Sequence, residues 1–257
     1  MNSDKLLEKT QQVAALINTS KKIVVFTGAG ISVPSGIPDF RSNNTGLWEK
    51  FDPMEVASLS AFKHQPERFF NWLQPMTRKI QESQPNPAHT ALAQLESVGK
   101  ISAILTQNID HLHQLAGSKN VIELHGTLKK YECYYCGASD HPNDKLLEQF
   151  IYHNKKPVCG NCGQYLKPAI TLFEEMLPEI AWNSAINQIT SSDMVIVIGS
   201  SLEVSPANNL PNLALKNNAK LIINTLSNTH LDSYAEVLLP FSVAEVWPSV
   251  VQLLTKS

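Results

Sequence analysis

Four cysteines provide the clearest chemical signal in this sequence. They form two Cys-X-X-Cys pairs, Cys133 with Cys136 and Cys159 with Cys162, and no other cysteine occurs among the 257 residues. Two such pairs supply four thiolates, the ligand set that holds a structural Zn²⁺ in a tetrahedron. Disulfides or a redox pair are the alternative, but the clustering of all the cysteines in one short segment favours zinc. Because the protein would supply all four ligands, we expect one structural ion.

A glycine-rich corner is the second candidate site. Residues 28–30 read Gly-Ala-Gly and follow the apolar run 23–26 after a single residue, Thr27. Glycines let the backbone approach a phosphate closely, and a helix beginning near Ile31 or Ser32 would direct free N–H groups towards it. The corner departs from the dehydrogenase fingerprint, because its sixth position is Val33 instead of glycine. No strand ending in an acidic residue follows about 20 residues later to hold a ribose.

Composition narrows the classes of partner. The chain has 21 basic and 23 acidic residues, a formal charge of -2, and 17% charged residues. No strong field would draw it to nucleic acid or an anionic membrane, so we expect neither as a direct partner. Residues 1–16 form an amphipathic pattern without the apolar core of a signal peptide, and no apolar run reaches membrane-spanning length. We therefore expect a soluble, cytoplasmic protein.

The surrounding elements follow an alternating α/β pattern. Six short runs are rich in Val, Ile and Leu, which is typical of parallel strands covered on both faces, and segments long enough for crossover helices separate them. We predict a fold of class α/β, a Rossmann-like doubly wound parallel sheet with a small inserted zinc-binding domain. The predicted strands are 23–26, 101–105, 121–124, 194–198, 221–223 and 237–239, and the predicted helices between them are 66–81, 87–98, 178–189, 206–217 and 244–254.

The cysteine-bearing segment interrupts this alternation and defines the expected domains. Residues 128–166 are predicted to form the small zinc-binding module. Residues 1–127 and 167–257 are predicted to form the discontinuous Rossmann-like domain. Residues 43–85 are expected to be a helical insertion that contributes to the small domain and to the cofactor loop.

Small polar residues follow five of the predicted strands. In an open parallel sheet the carboxyl ends of the strands share one edge, and ligands bind in the crevice outside it. Gly, Ser, Asn and Thr also simply make turns, which is the more common explanation for any single case. Five such turns at one edge favour a shared binding site. They occupy residues 27–30, 106–110, 125–126, 199–201 and 224–225.

Several longer motifs resemble one known family. In chain order they are GAGISVPSGIPDFRS at 28–42, TQNIDHLHQLAG at 106–117, ELHGT at 123–127, the paired cysteines, and GSSLEVSPA at 199–207. Together they resemble the sirtuins of the short bacterial type. The resemblance implies an NAD-dependent protein-lysine deacylase that uses NAD as cofactor, carries one structural Zn²⁺, and acts on acyl-lysine proteins or peptides. The products would be nicotinamide and O-acyl-ADP-ribose.

The resemblance also implies roles for individual residues. His125 would be the general base that draws a proton from the ribose hydroxyls, a task that suits an imidazole. Asn108 and Gln107 would orient the ribose and nearby water. Asp110 and the backbone of Ile109 would hold the nicotinamide carboxamide. The remaining implied cofactor residues are Gly28, Ala29, Gly30, Val33, Asp39, Phe40, Arg41, Gly199, Ser200, Ser201, Asn224, Thr225 and Val243.

The segment implied to pair with the substrate departs from the family pattern. Glu174 occupies the place where the pattern has glycine, and Thr171 introduces a hydroxyl beside Phe173. We expect Glu174 either to narrow the cleft or to favour basic peptides, with Val204 on the opposite side. The positions of the Tyr and Arg that mark succinyl-removing relatives are occupied here by Leu73 and Met76. An apolar acyl pocket that accepts acetyl groups is therefore expected.

Two other functions compete with deacylation. Mono-ADP-ribosyl transfer would use the same cleavage of NAD with a protein nucleophile, and the altered segment around Glu174 leaves that possibility open. A zinc-ribbon nucleic-acid binder would need a basic module. Residues 128–166 instead contain five lysines and four acidic residues. The second alternative is therefore disfavoured.

Overall fold

The computed structural model describes residues 2–39, 51–139 and 144–255, and all structural statements below concern these residues. The strands are β1 Ile23–Thr27, β2 Ile101–Thr106, β3 Val121–Glu123, β4 Gly126–Glu132, β5 Lys167–Ile170, β6 Met194–Ile198, β7 Lys220–Asn224 and β8 Val237–Leu238. The α-helices are α1 Asn2–Thr19, α2 Pro53–Val56, α3 Leu59–His64, α4 Pro66–Glu82, α5 Pro87–Ser97, α6 Leu112–Leu115, α7 Asp144–His153, α8 Glu179–Thr190, α9 Asn209–Lys216 and α10 Val243–Thr255.

Six strands form one parallel sheet in the order β3-β2-β1-β6-β7-β8. Every neighbouring pair in this sheet is parallel. The predicted doubly wound sheet is therefore confirmed, and each of its six strands was predicted to within about two residues, the usual uncertainty of element ends. The strand order reverses between β1 and β6, which is where such sheets open a ligand crevice.

Helices cover both faces of the sheet. On one face α1, α5 and α10 pack a core that includes Ile17, Leu92 and Trp247. On the other face α8 and α9 bury Ile189 and Leu210 against the same strands. Because both faces are covered, all five residues of β1 and of β6 are buried. This double burial is the reason that the strands consist almost entirely of Val, Ile and similar residues.

A third core joins the helical segment 53–82 to the cysteine-bearing segment. Phe70 of α4 packs edge to face on Phe150 of α7, with ring centroids 5.6 Å apart. Phe62 of α3 makes the same kind of contact with Phe69 at 5.4 Å. Edge-to-face pairs of this kind add to the stability that burial provides. The domain division expected from the sequence stays a prediction.

Two sequence expectations for local structure were wrong. Short 3-10 turns, Ala29–Ile31 and Val33–Ser35, follow the first glycine corner in place of an α-helix. Pro34 cannot donate a helical hydrogen bond, and Gly36 leaves the helical region with φ of 85°. Helix α9 begins three residues later than predicted, since Asn208 donates its side-chain amide to the Leu202 carbonyl and holds a turn there.

Among the described residues, no helix combines the length and the apolar character that crossing a membrane requires.

Two histidines are buried side by side where α5 and α6 meet β1. The rings of His89 and His113 lie 4.9 Å apart, centroid to centroid. Nδ1 of His89 accepts a hydrogen bond from the backbone N–H of Asn86, and Nε2 of His113 lies 3.0 Å from the Thr27 hydroxyl. Burial lowers the pKa of His89 from 6.5 to about 4 and that of His113 well below its usual value. Both rings are therefore neutral in the folded protein near neutral pH.

We predict that these neutral histidines make the fold sensitive to mild acid. The unfolded chain protonates His89 below its ordinary pKa of 6.5, whereas the folded chain does so only near about 4. The free energy of unfolding should therefore decrease as the pH falls between these values. Urea titrations at several pH values give the free energy of unfolding as a function of pH. In this range its slope should be shallower for His89→Asn than for the wild type by about 1.4 kcal/mol per pH unit. Equal slopes for the two proteins would contradict the assignment.

Candidate active site at the carboxyl edge of the sheet

A cavity of about 1420 Å³ opens at the carboxyl ends of β1, β2, β6 and β7. It lies at the point where the strand order reverses, as expected for an open parallel sheet. Loops that were predicted to converge do converge here. The predicted site residues that line it are Gly28, Ala29, Gly30, Val33, Asp39, Gln107, Asn108, Ile109, Asp110, His125, Thr171, Phe173, Glu174, Gly199, Ser200, Ser201, Val204, Thr225 and Val243.

Asn224 is an exception to this convergence. Its side chain is fully buried and donates to the carbonyls of Leu239 and Phe241 at 2.7 and 2.9 Å. Its oxygen accepts from the indole N–H of Trp247. Both amide hydrogens are thus used within the protein, and the side chain is absent from the cavity wall. The side chain of Asn224 has a structural role, and the cofactor contact expected of this residue stays a prediction. Phe40 and Arg41 lie outside the described residues.

The glycine corners after β1 and β6 touch each other. The N–H of Gly30 donates to the carbonyl of Gly199 at 2.8 Å. Gly199 has φ of 62°, and a Cβ at Gly30 would lie 2.7 Å from its Cα. Real side chains do not tolerate such distances, so each corner requires glycine because of the other. This contact sets the floor of the cavity.

His125 is held in one tautomer by the backbone. Its Nδ1 lies 2.9 Å from the carbonyl oxygen of Gln107. A carbonyl can only accept, so Nδ1 carries the proton and Nε2 is left with its lone pair. Burial lowers the pKa of His125, and the hydrogen bond to Gln107 opposes that shift. The arrangement gives a neutral imidazole that can take up a proton at Nε2.

Asp110, Ser32 and Asn108 form a buried hydrogen-bond network beside His125. The hydroxyl of Ser32 donates to Oδ2 of Asp110 at 2.6 Å, and the side-chain amide of Asn108 donates to the Ser32 oxygen at 3.1 Å. Burial raises the pKa of Asp110, and the hydrogen bond from Ser32 counteracts it. The role of Ser32 was missed, although it stands in the glycine motif, because only the fold brings residues 32 and 110 together.

A second layer supports this network from below. The Thr27 hydroxyl donates to that of Thr106 at 2.8 Å, and the Thr106 oxygen accepts from the backbone N–H of Asn108 at 3.0 Å. The side chain of Gln107 turns the other way and donates to the Ser200 hydroxyl at 3.0 Å. Asn108 is thus held by Thr106 of β2, and Gln107 is held by Ser200 in the loop after β6.

The segment 171–175 forms one wall of the cavity and is bonded at several points. The N–H of Thr171 donates to the carbonyl of His125 at 2.8 Å. The carboxylate of Glu175 accepts from Nζ of Lys167 at 3.1 Å and from the N–H of Leu172 at 2.9 Å. Lys167 is only 4% exposed and also lies 3.1 Å from Glu132 of β4. The ammonium therefore ties this wall to the strand that leads into the first cysteine pair.

Helix α4 supplies a further wall that the sequence analysis described only in part. Met76 lines the cavity together with Trp72, whereas Leu73 is fully buried in the third core. Of the two positions matched to the Tyr and Arg of succinyl-removing relatives, Met76 therefore lines the cavity and Leu73 does not. The cationic side chains on this wall are Arg68, which is ion-paired with Glu55, and Lys79. Sequence reasoning missed them because helical periodicity alone does not say which turn faces a cavity.

The four cysteine sulfurs gather within 4.8 Å of one another. Sγ of Cys133 lies 3.4 Å from that of Cys162, and Sγ of Cys136 lies 3.7 Å from that of Cys159. Tetrahedral Zn–S bonds of about 2.3 Å require sulfurs separated by about 3.8 Å, so the geometry fits one zinc ion. The cluster is able to hold Zn²⁺ without an open coordination position.

We predict that purified protein contains one zinc ion per chain and depends on it for stability. The four thiolates close the module where only a small apolar cluster, including Tyr131 and Leu166, is buried around them. Removing the ion with a chelator should therefore lower the melting temperature, because the binding free energy of such sites contributes to folding. Zinc content by atomic emission and thermal melts would test this. Full stability after quantitative metal removal, or no recovery on adding zinc, would contradict the prediction.

The fold and the site together define the class of protein: a Rossmann-type nucleotide-binding protein that carries a four-cysteine metal module. The model of the Sir2 family matches residues 28–206. An NAD-dependent protein deacylase 2 of Archaeoglobus fulgidus is 43% identical over 246 residues, 95% of this chain and 96% of the relative. An NAD-dependent protein deacetylase of Oceanobacillus iheyensis is 43% identical over 221 residues, 86% of this chain and 90% of the relative.

Solved structures agree with this assignment. One from a study of the mechanism and regulation of Sir2 enzymes has a TM-score of 0.91 at 42% identity, and the match covers 97% of this chain and 98% of that chain. A Sir2–p53 peptide–NAD⁺ complex has a TM-score of 0.86 at 36% identity, with 97% and 100% of the two chains covered. The chain belongs to the Sir2 family, the sirtuins.

Proposed function

We propose that this protein is an NAD-dependent protein-lysine deacylase that removes acetyl groups. The names of its relatives, which describe NAD-dependent protein deacetylases and deacylases, support the activity. The observation that carries the proposal is the fixed tautomer of His125, whose Nδ1 is bonded to the Gln107 carbonyl. This leaves one basic nitrogen in the wall of a cavity large enough for a dinucleotide and a peptide side chain.

NAD is the cosubstrate and supplies the ribose whose bond to nicotinamide is cleaved. The paired glycine corners support binding of its pyrophosphate, since no side chain intervenes between backbone and ligand there. Asp110 and Ile109 would hold the nicotinamide carboxamide, with Asp110 oriented by Ser32. Thr225 and Val243 line the same cavity beyond the Gly199 corner and would contact the adenosine half.

His125 is the general base in this proposal. Its Nε2 would accept a proton from a ribose hydroxyl so that the oxygen can attack the transferred acyl group. Because burial lowers the pKa of His125, the ring is in its neutral, proton-accepting form at neutral pH. Asn108, held by Thr106 and Ser32, would orient the ribose.

The substrate peptide would enter as an added strand. Segments 171–175 and 203–206 both line the cavity, and the peptide would pair with backbone groups of these segments. Thr171 and Phe173 on one side, and Val204 on the other, would flank the acyl-lysine. A cytoplasmic location and the absence of nucleic-acid partners stay predictions from composition.

We predict that His125→Ala abolishes acyl removal and leaves the fold intact. Among the described residues His125 is the only histidine that lines the cavity, and general-base catalysis typically contributes roughly 10²–10⁴-fold to the rate. Mass spectrometry of an acetyl-lysine peptide incubated with NAD should show loss of the acylated ADP-ribose product. His230→Ala is the matched control, since His230 is exposed and contacts Asn212 on the surface.

NAD that is radiolabelled in its adenylate portion distinguishes deacylation from ADP-ribosyl transfer. A deacylase leaves the adenylate label of NAD in a small acylated sugar product, whereas a mono-ADP-ribosyltransferase leaves it on protein. Turnover by His125→Ala equal to that of the wild type would remove His125 as base. A wild type that releases no nicotinamide with any acylated peptide would overturn the proposed function itself.

We predict a strong preference for acetyl over succinyl groups. Trp72 and Met76 present apolar surface on the α4 wall, and Arg68 is already paired with Glu55. Met76 stands where succinyl-removing relatives carry arginine, so a succinyl carboxylate would lose water without gaining a cation at that position, and kcat/KM on the succinylated peptide should be at least about 10²-fold lower. Met76→Arg should narrow that ratio. Similar rates of the wild type on both versions of one peptide would contradict the apolar pocket.

A further inference from the structure

Glu174 adopts a backbone conformation that favours glycine. Its φ is 74°, in the left-handed region, where an L side chain costs about 1 kcal/mol. Such strain persists when surrounding contacts hold the residue in place. The side chain of Glu174 makes interactions that compensate for this cost.

The carboxylate of Glu174 is bonded to helix α3. Oε2 accepts from the backbone N–H of Ser60 at 2.7 Å, and Oε1 accepts from the Ser60 hydroxyl at 3.0 Å. The N–H of Ser60 is one of the first-turn amides that has no partner within its own helix. Ser58 already satisfies the next one, because its hydroxyl accepts from the N–H of Ala61. These bonds lower the pKa of Glu174, so it is ionised at neutral pH.

The neighbouring residue extends this attachment through the backbone. Phe173 forms a parallel bridge with Ser58. Its N–H donates to the Ala57 carbonyl, and its carbonyl accepts from the N–H of Leu59, both at 3.0 Å. Phe173 and Glu174 together thus form a continuous set of hydrogen bonds between the cavity wall and the start of α3.

We propose that Glu174 is a positioning residue that fastens the segment 171–175 to α3 and presents it, already shaped, to the incoming peptide. The proposal rests on the proposed function in that the ligand of this segment is the acyl-lysine peptide. Each carboxylate oxygen accepts a hydrogen bond from Ser60, so the side chain is attached to the start of α3. The two roles expected from the sequence, narrowing of the cleft and attraction of basic peptides, stay predictions.

The first test is a steady-state comparison on an acetylated peptide. Glu174→Ala keeps the strained backbone and loses the carboxylate, so KM for the peptide should rise about five- to tenfold, as expected for loss of bonds to a charged group. KM for NAD and kcat should stay within about twofold of the wild type. Glu179→Ala, which removes an exposed acid in the first turn of nearby α8, is the matched control and should change neither constant.

A double-mutant cycle isolates the contact. Ser60→Ala should raise the peptide KM on its own and should have little further effect in the Glu174→Ala background. Glu174→Gly removes the hydrogen bonds to Ser60 without backbone strain, so it remains informative if the alanine variant folds poorly. It should also raise the KM for the peptide. Independent effects of the two substitutions, or an unchanged peptide KM in Glu174→Gly, would overturn the proposal.

Amide exchange in the free protein gives a readout that does not need turnover. The N–H of Ser60 should be protected in the wild type and should exchange faster in both Glu174 variants, while the N–H of Ala61 keeps its bond to Ser58. If the wild type shows this protection but no deacylation, the attachment of Glu174 to Ser60 is confirmed and the proposed function fails. If the wild type deacylates but the N–H of Ser60 exchanges at the same rate in all variants, the proposed attachment of Glu174 to Ser60 is wrong.

Discussion

The contact between the glycine corners after β1 and β6 is the constraint on which the site depends. These strands are neighbours in one parallel sheet, and their corners meet with Gly30 N–H donating to the Gly199 carbonyl at 2.8 Å. At this point the chain leaves the sheet towards opposite sides, so the loops diverge and open a crevice. No side chain fits between the corners. The crevice floor is therefore bare backbone, which suits a phosphate group.

His125 connects the two halves of the cavity. Its ring is bonded to the carbonyl of Gln107, in the loop after β2, and its own carbonyl accepts from Thr171 of the substrate-facing segment. A shift of that segment would therefore move the backbone of His125, the proposed base. Glu174 and Glu175 attach the same segment to α3 and to the buried Lys167. His125 and the segment 171–175 are held by short bonds from three parts of the chain, and such fixed positions are what preorganised catalysis requires.

The strained backbone at Glu174 illustrates how a local rule is overridden. A left-handed φ favours glycine because a Cβ crowds the following carbonyl. Here a carboxylate compensates by accepting two hydrogen bonds at the start of a helix, where amides otherwise lack partners. Where the family pattern has a glycine, Glu174 thus attaches the segment to α3 through its side chain.

The sequence by itself determined the six-stranded parallel sheet, the four-cysteine metal site and the convergence of the strand-end loops. These follow from local apolar runs and short spacings, which do not depend on distant contacts. Only the tertiary structure decided that Asn224 braces Trp247, that Leu73 enters the core while Met76 faces the cavity, that Ser32 orients Asp110, and that Glu174 turns to α3. Each of these depends on partners that only folding brings near, some of them dozens of residues or more away in the chain. The direction of a side chain is set by whichever partner folding brings within a hydrogen-bond length, and no local pattern carries that information.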